Sequence, residues 1–183
     1  MEAVGYDLYC KMLHEAVKEA KGEITEEEKF DTSLDLITDA YIPSSYISNE
    51  TQKLDLYKRI AGITSQEESD EMLEELIDRF GEPPKSAQNL LRIACLKARA
   101  HEVYVKEITQ KGDILRLTFF ERARLKAERI PELVKRYDPA LVFTMDAKNP
   151  YFSYIMKVNS REKNREVLDI LADLLDQMRI LVL

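Results

Sequence analysis

Tryptophan is absent from this 183-residue chain, and histidine, cysteine and glycine are scarce, at two, two and five. Each scarcity excludes a class of chemistry. Cys10 and Cys95 stand far apart, with no Cys-x-x-Cys spacing, so they make neither a metal-ligand set nor a disulfide framework and fit a reducing cytoplasm. His14 and His101 are solitary, and no HExxH pair exists. Gly5, Gly22, Gly62, Gly81 and Gly112 are not spaced for a phosphate-binding loop or a dinucleotide fingerprint. A self-contained metalloenzyme, nucleotidase or dehydrogenase is therefore not expected, nor is a cofactor or metal site. No apolar run approaches the ~18 residues of a membrane span. The N-terminus has no basic region followed by an apolar one, so no secretory signal is read.

Charge is plentiful and unevenly distributed. The net charge is −7. Residues 1–84 hold 8 Lys/Arg against 21 Asp/Glu, residues 85–136 hold 13 against 6, and residues 137–183 hold 6 against 7. An acidic first half repels nucleic acid and attracts a basic partner.

The pattern predicts an α+β protein: a helical N-terminal half, then antiparallel strands with packed helices. Leu8, Tyr9, Met12, Leu13, Ala16, Val17 and Ala20 recur at helical spacing, with Gly22 as the stop, so residues 1–22 read as a first helix. Ser33 to Leu36 alternates as a short strand before Pro43. Asn49 with Gln52 and Ser65 with Glu68 form two capping boxes. The first helix so capped has Leu54, Tyr57, Ile60 and Ala61 as its expected inner face; the second has Met72, Leu73, Leu76, Ile77 and Phe80. Gly81 is expected to end the second in the left-handed conformation, before Pro83 and Pro84. Pro84 to about Ala100 reads as a long helix, with Ala87, Leu90, Leu91, Ala94 and Ala98 on one face, and is expected to be the most buried. Val103–Ile108 and Ile114–Phe120 read as an antiparallel hairpin. Pro131 opens a short helix, Leu141–Thr144 and Phe152–Val158 are strands, and Asn159 with Glu162 is expected to cap a final helix containing Val167, Leu168, Leu171, Leu174, Leu175 and Met178.

The functional candidates lie on the Ser65–Gly81 helix. Glu67, Glu71, Glu74, Glu75 and Asp78 follow one another at intervals of one to four residues, opposite the apolar stripe, and form an acidic ridge. Glu75 and Asp78 sit in its last two turns, where the macrodipole is negative and disfavours an exposed carboxylate by roughly 0.3–1 kcal/mol. The plainest reading is a solvated face with Glu75 paired to Arg79 at i,i+4; the sharper one is a docking surface for a basic partner. Acid–base catalysis requires a strongly perturbed environment that an exposed ridge lacks. Arg122, Arg124, Lys126 and Arg129 form a basic cluster without interleaved aromatics, Cys95 reads as a small core residue, and the histidines read as surface or helix-end residues.

Three words in the chain resemble one family. Met1-Glu2-Ala3-Val4-Gly5-Tyr6-Asp7-Leu8-Tyr9-Cys10-Lys11-Met12-Leu13 is similar to the segment that follows the motor of bacterial transcription-repair coupling factors. Tyr41-Ile42-Pro43-Ser44-Ser45-Tyr46-Ile47 with Leu54-Asp55-Leu56-Tyr57-Lys58-Arg59-Ile60, and Glu75-Leu76-Ile77-Asp78-Arg79-Phe80-Gly81-Glu82-Pro83-Pro84, resemble their C-terminal domain; Lys53 stands where the family pattern has arginine. The resemblance implies that residues 1–22 connect to a motor that is not in this chain and that residues 23–183 are a non-catalytic regulatory domain. The parent would be an ATP-dependent DNA translocase using ATP and Mg in its motor, one that releases stalled RNA polymerase and recruits nucleotide excision repair. In the family, this domain packs on an N-terminal module resembling excinuclease B. It masks the surface that binds excinuclease A and restrains the motor until polymerase is engaged. By position, Glu75 and Asp78 meet basic residues of that module, and Glu71 and Glu74 extend the surface. No membrane contact, no DNA contact by this chain and a cytoplasmic location are implied. The rival reading is a direct DNA- or polymerase-binding module that uses the basic 85–136 segment.

Overall fold

Capping and hydrophobic spacing explain where the helices begin and which faces they bury. The computed structural model describes residues 30–146, 149–156 and 166–182; the helix expected over 1–22 and the Asn159/Glu162 cap lie outside them. The described residues fall into two units, one formed by Tyr41–Ala94 and the other by Phe30–Ala40 with the residues from Cys95 onward. The observed class is α+β, with five α-helices and one mixed five-stranded sheet among the described residues.

In the first unit, α1 spans Glu50–Ala61 and α2 spans Gln66–Phe80. The helix α3, Lys85–Glu102, belongs to this unit as far as Ala94. Both N-terminal caps form as expected. The Asn49 side chain accepts from the Gln52 amide, and Ser65 Oγ accepts from the Glu68 amide. The Glu68 carboxylate reaches back one residue further than a standard capping box, to the Thr64 amide at 2.7 Å. Leu56 and Ile60 are the buried residues of α1, whereas Leu54 is 47% exposed, which corrects the expected inner face. In α2, Ser69, Met72 and Leu76 are buried at steps of three and four, while Ile77 lies outside the stripe and is exposed.

The segment before α1 acts as a strap. Ile42 and Ile47 are buried. The Ile42 amide donates to the Tyr57 hydroxyl at 2.8 Å, and the Tyr46 hydroxyl donates toward the carbonyls of Leu76 (3.2 Å) and Gly81 (2.7 Å) at the end of α2. The Gly81 carbonyl lies past the last intrahelical bond, Gly81 amide to Ile77 carbonyl, and takes its donor from the strap, while the Leu76 carbonyl is approached as a second acceptor contact. Gly81 has φ +80° and ψ −172°. It therefore ends α2 in an extended positive-φ conformation open chiefly to glycine, not in the left-handed helical one expected. Pro84 caps α3 through its carbonyl, which accepts from the Ala87 and Gln88 amides, instead of occupying the first helical turn.

The second unit is built on the sheet, in the order β1-β2-β3-β5-β4. The strands are β1 Ser33–Asp35, β2 Val105–Lys111, β3 Ile114–Phe119, β4 Leu141–Thr144 and β5 Tyr151–Ile155. The β2–β3, β3–β5 and β5–β4 pairs are antiparallel, and β1 joins β2 in parallel. The β2–β3 turn is two residues, Gly112-Asp113, with Gly112 at φ +58°, so the hairpin is tighter than the five-residue connection expected. A bulge between Val105 and Glu107 inserts one residue. It lets Val105 and Ile108, three apart, both point into the core with Leu115, Leu117 and Phe119. The short helix α4 covers Ile130–Arg136, and α5 covers Val167–Met178. Half of α5 is buried (Leu168, Ile170, Leu171, Leu174, Leu175, Met178), a larger share than in α3, so by share α5 is the most buried of the described helices, although α3 buries more residues, seven.

Candidate functional site

The acidic ridge lies on α2, and the structure divides it. Glu71, Glu74 and Asp78 are exposed along one side and form no ion pair with any described residue. Glu75 is turned toward α1. Its side chain keeps 29% exposure, and both oxygens are engaged. Arg59 on α1 clasps it bidentately, Nη1 to Oε1 at 2.7 Å and Nη2 to Oε2, and Arg79 donates Nη1 to Oε1 at 2.6 Å. Planar guanidinium matches carboxylate geometry, so this is the stronger kind of ion pair. Hydrogen bonding to Arg59, then to Arg79, holds the Glu75 carboxyl down at about 2. The same pairing raises Arg59 above its ordinary value. Arg79 also stacks over the Phe80 ring at 4.9 Å, and Phe80 meets Tyr46 edge-on at 6.1 Å, so the end of α2 is fixed by aromatic contacts as well as by the strap.

Beside the clasp, α1 and α2 enclose an open groove of about 370 Å³. Met72 and Ile63 give it apolar lining, and Arg59, Glu71 and Glu75 give it charged lining. Among the described residues, Glu75 is the carboxyl with a large shift, and its pairing with Arg59 and Arg79 holds it ionised.

The sequence pattern locates the ridge and the Glu75–Arg79 pair at i,i+4, which forms, but it does not separate Glu75 from Asp78 within one surface. Asp78 is open, whereas Glu75 is occupied from within the unit. Arg59 was missed, because a residue sixteen positions away on another helix leaves no periodic signal. Its only trace is membership in the Leu54–Ile60 word. Elsewhere, Cys95 is buried. His101 stacks on Phe30 at 4.2 Å, with Thr32 Oγ1 at 3.4 Å from Nδ1. Arg122, Arg124, Lys126 and Arg129 are exposed, Arg129 pairing with Glu132 at 2.9 Å. His14 and Cys10 lie outside the described residues. No group of three His, Cys, Asp or Glu side chains among the described residues is placed to hold a metal, and no described helix is long and apolar enough to cross a membrane.

A strapped helical pair that presents a mixed-charge helix face, carried in one chain with a mixed sheet, defines a class: an α+β protein with an exposed charged helix face. Comparison with known proteins gives the family. A model described as "TRCF domain" matches residues 36–130, and the chain belongs to that family. It is similar to the transcription-repair-coupling factor of Bacillus subtilis (strain 168), with 35% identity over 181 residues, 98% of this chain and 15% of the relative. The transcription-repair-coupling factor of Borreliella burgdorferi is 26% identical over 163 residues, 89% of this chain and 14% of the relative. A crystal structure of the C-terminal domain of transcription-repair coupling factor superposes with a TM-score of 0.71 and 26% identity, covering 85% of this chain and 94% of that one. The chain thus spans only about a seventh of the length of these two full-length relatives.

Proposed function

We propose that this TRCF domain is a non-catalytic regulatory latch. Its α2 ridge docks on the N-terminal excinuclease-B-like module of the same parent protein, masks the surface that binds excinuclease A and restrains the motor. The parent would be an ATP-dependent translocase that frees stalled RNA polymerase from DNA and recruits excision repair in the cytoplasm. ATP and Mg would act in its motor, and this domain would need no cofactor. The observation that carries the reading is Asp78. It is an exposed carboxylate without an ion-pair partner among the described residues, set in the last turn of α2 against the negative end of the macrodipole. Such a placement is mildly unfavourable in isolation and becomes favourable when a basic partner arrives. Glu71 and Glu74 extend the same open face. Charged pairs across such an interface contribute roughly 1–3 kcal/mol each when partly desolvated, which suits a latch that must also open.

The test is basal ATP hydrolysis by the full-length parent and its binding of excinuclease A without polymerase. Asp78→Arg with Glu74→Arg should raise both. Wild-type values for both would return the ridge to a solvated face. Glu75→Arg is unsuitable for this purpose, because it would set a third guanidinium against Arg59 and Arg79.

A further inference from the structure

Glu75 is occupied by the domain's own arginines, and this bears on how firmly the latch can close. The inference rests on the latch reading and concerns its regulation. Arg59 reaches across from α1 and takes both Glu75 oxygens, while Arg79 shares one of them from the next turn of the same helix. An incoming basic group therefore meets a carboxylate already satisfied on its α1 side. The groove beside it offers that group a route to Glu75 past Glu71, over the apolar lining of Met72 and Ile63.

We propose that Arg59 is an internal competitor for the partner's basic group at Glu75. Closing the latch on Glu75 requires the Arg59 fork to open or to share, and this caps the affinity of the interface and speeds its release. Arg79 does not play the same part. It lies one turn away on α2 and is held over Phe80, so it orients Glu75 without bridging two elements. Arg59 thus acts through Glu75 as a competitor, and its removal should produce a gain in binding, which structural damage does not mimic.

The experiment measures the dissociation constant of this chain for the N-terminal excinuclease-B-like module, for wild type, Arg59→Gln, Arg59→Lys and Asp78→Arg. Arg59→Gln should tighten binding about two- to fivefold, the worth of a partly exposed pair. Arg59→Lys keeps the charge but loses the fork, and should fall between wild type and Arg59→Gln. In parallel, the Glu75 carboxyl, followed by carbon NMR, should titrate upward from about 2 when Arg59 is replaced. Unchanged or weaker binding by Arg59→Gln, with Asp78→Arg still weakening the complex, would overturn the competitor role and leave the latch standing. No binding by wild type, or none of the loss expected from Asp78→Arg, would overturn the latch itself and this inference with it.

Discussion

At the scale of single residues, the account turns on which side chains of α2 face inward and which are open. Leu76 is 1% exposed beneath the ridge. Leu76→Ala should cost about 2–5 kcal/mol by opening a cavity, read as a lowered urea midpoint, and so disturb folding ahead of regulation. Glu75 makes a pH-dependent contribution. Its carboxyl in the folded chain is held at about 2, below the ordinary 4.5, by Arg59 and Arg79. Its stabilisation is therefore fully present above the unfolded value and fades as pH falls from about 4.5 toward 2. Glu75→Gln should lower stability by up to about 1 kcal/mol at pH 7, since the pair is partly exposed. The gap between wild type and variant in urea unfolding should close by about pH 2. A gap that stayed constant across that range would mean that the clasp is not the source.

At the scale of elements, the ends of α2 were legible in the sequence and its neighbours less so. Ser65 with Glu68 and the Gly81-x-Pro-Pro stop are local signals, written in adjacent residues. The Tyr46 strap is not local. The tyrosine contacts the Leu76 and Gly81 carbonyls thirty and thirty-five residues ahead, and its part emerges only from the fold. Tyr46→Phe should remove the hydroxyl donor from the Gly81 carbonyl and lower the melting midpoint, at a cost of about 1 kcal/mol. Burial and the nearby Glu82 raise the Tyr46 hydroxyl, so it remains a donor throughout the neutral range. The strands show the same division. Alternation located β3, β4 and β5 to within a few residues. The bulge at Val105/Glu107, and the parallel pairing of the three-residue β1 with β2, depend on partners distant in the chain. Leu54 misled because helical spacing allows two overlapping faces on α1, and the packing chose the one containing Leu56 and Ile60.

At the scale of the whole molecule, polarised charge was the clue that composition offered, and the acidic half places its open carboxylates on a helix strapped at its end. Asp78, Glu74 and Glu71 were readable as candidates from spacing alone. The Arg59–Glu75 clasp, which changes what a partner meets, was not, because it depends on α1 and α2 lying side by side. The basic 85–136 segment, which includes the 122–129 cluster, provides the contrast. If it were the working surface, this chain would bind DNA with an affinity falling steeply as salt rises. The measurement that bears most directly on the central claim is titration of the N-terminal excinuclease-B-like module with this chain at low and physiological salt, comparing wild type with Asp78→Arg/Glu74→Arg. The latch account predicts a salt-sensitive complex that the double reversal weakens at least about tenfold while the urea midpoint stays within about 0.5 kcal/mol of wild type. Equal affinity for the two proteins would contradict it.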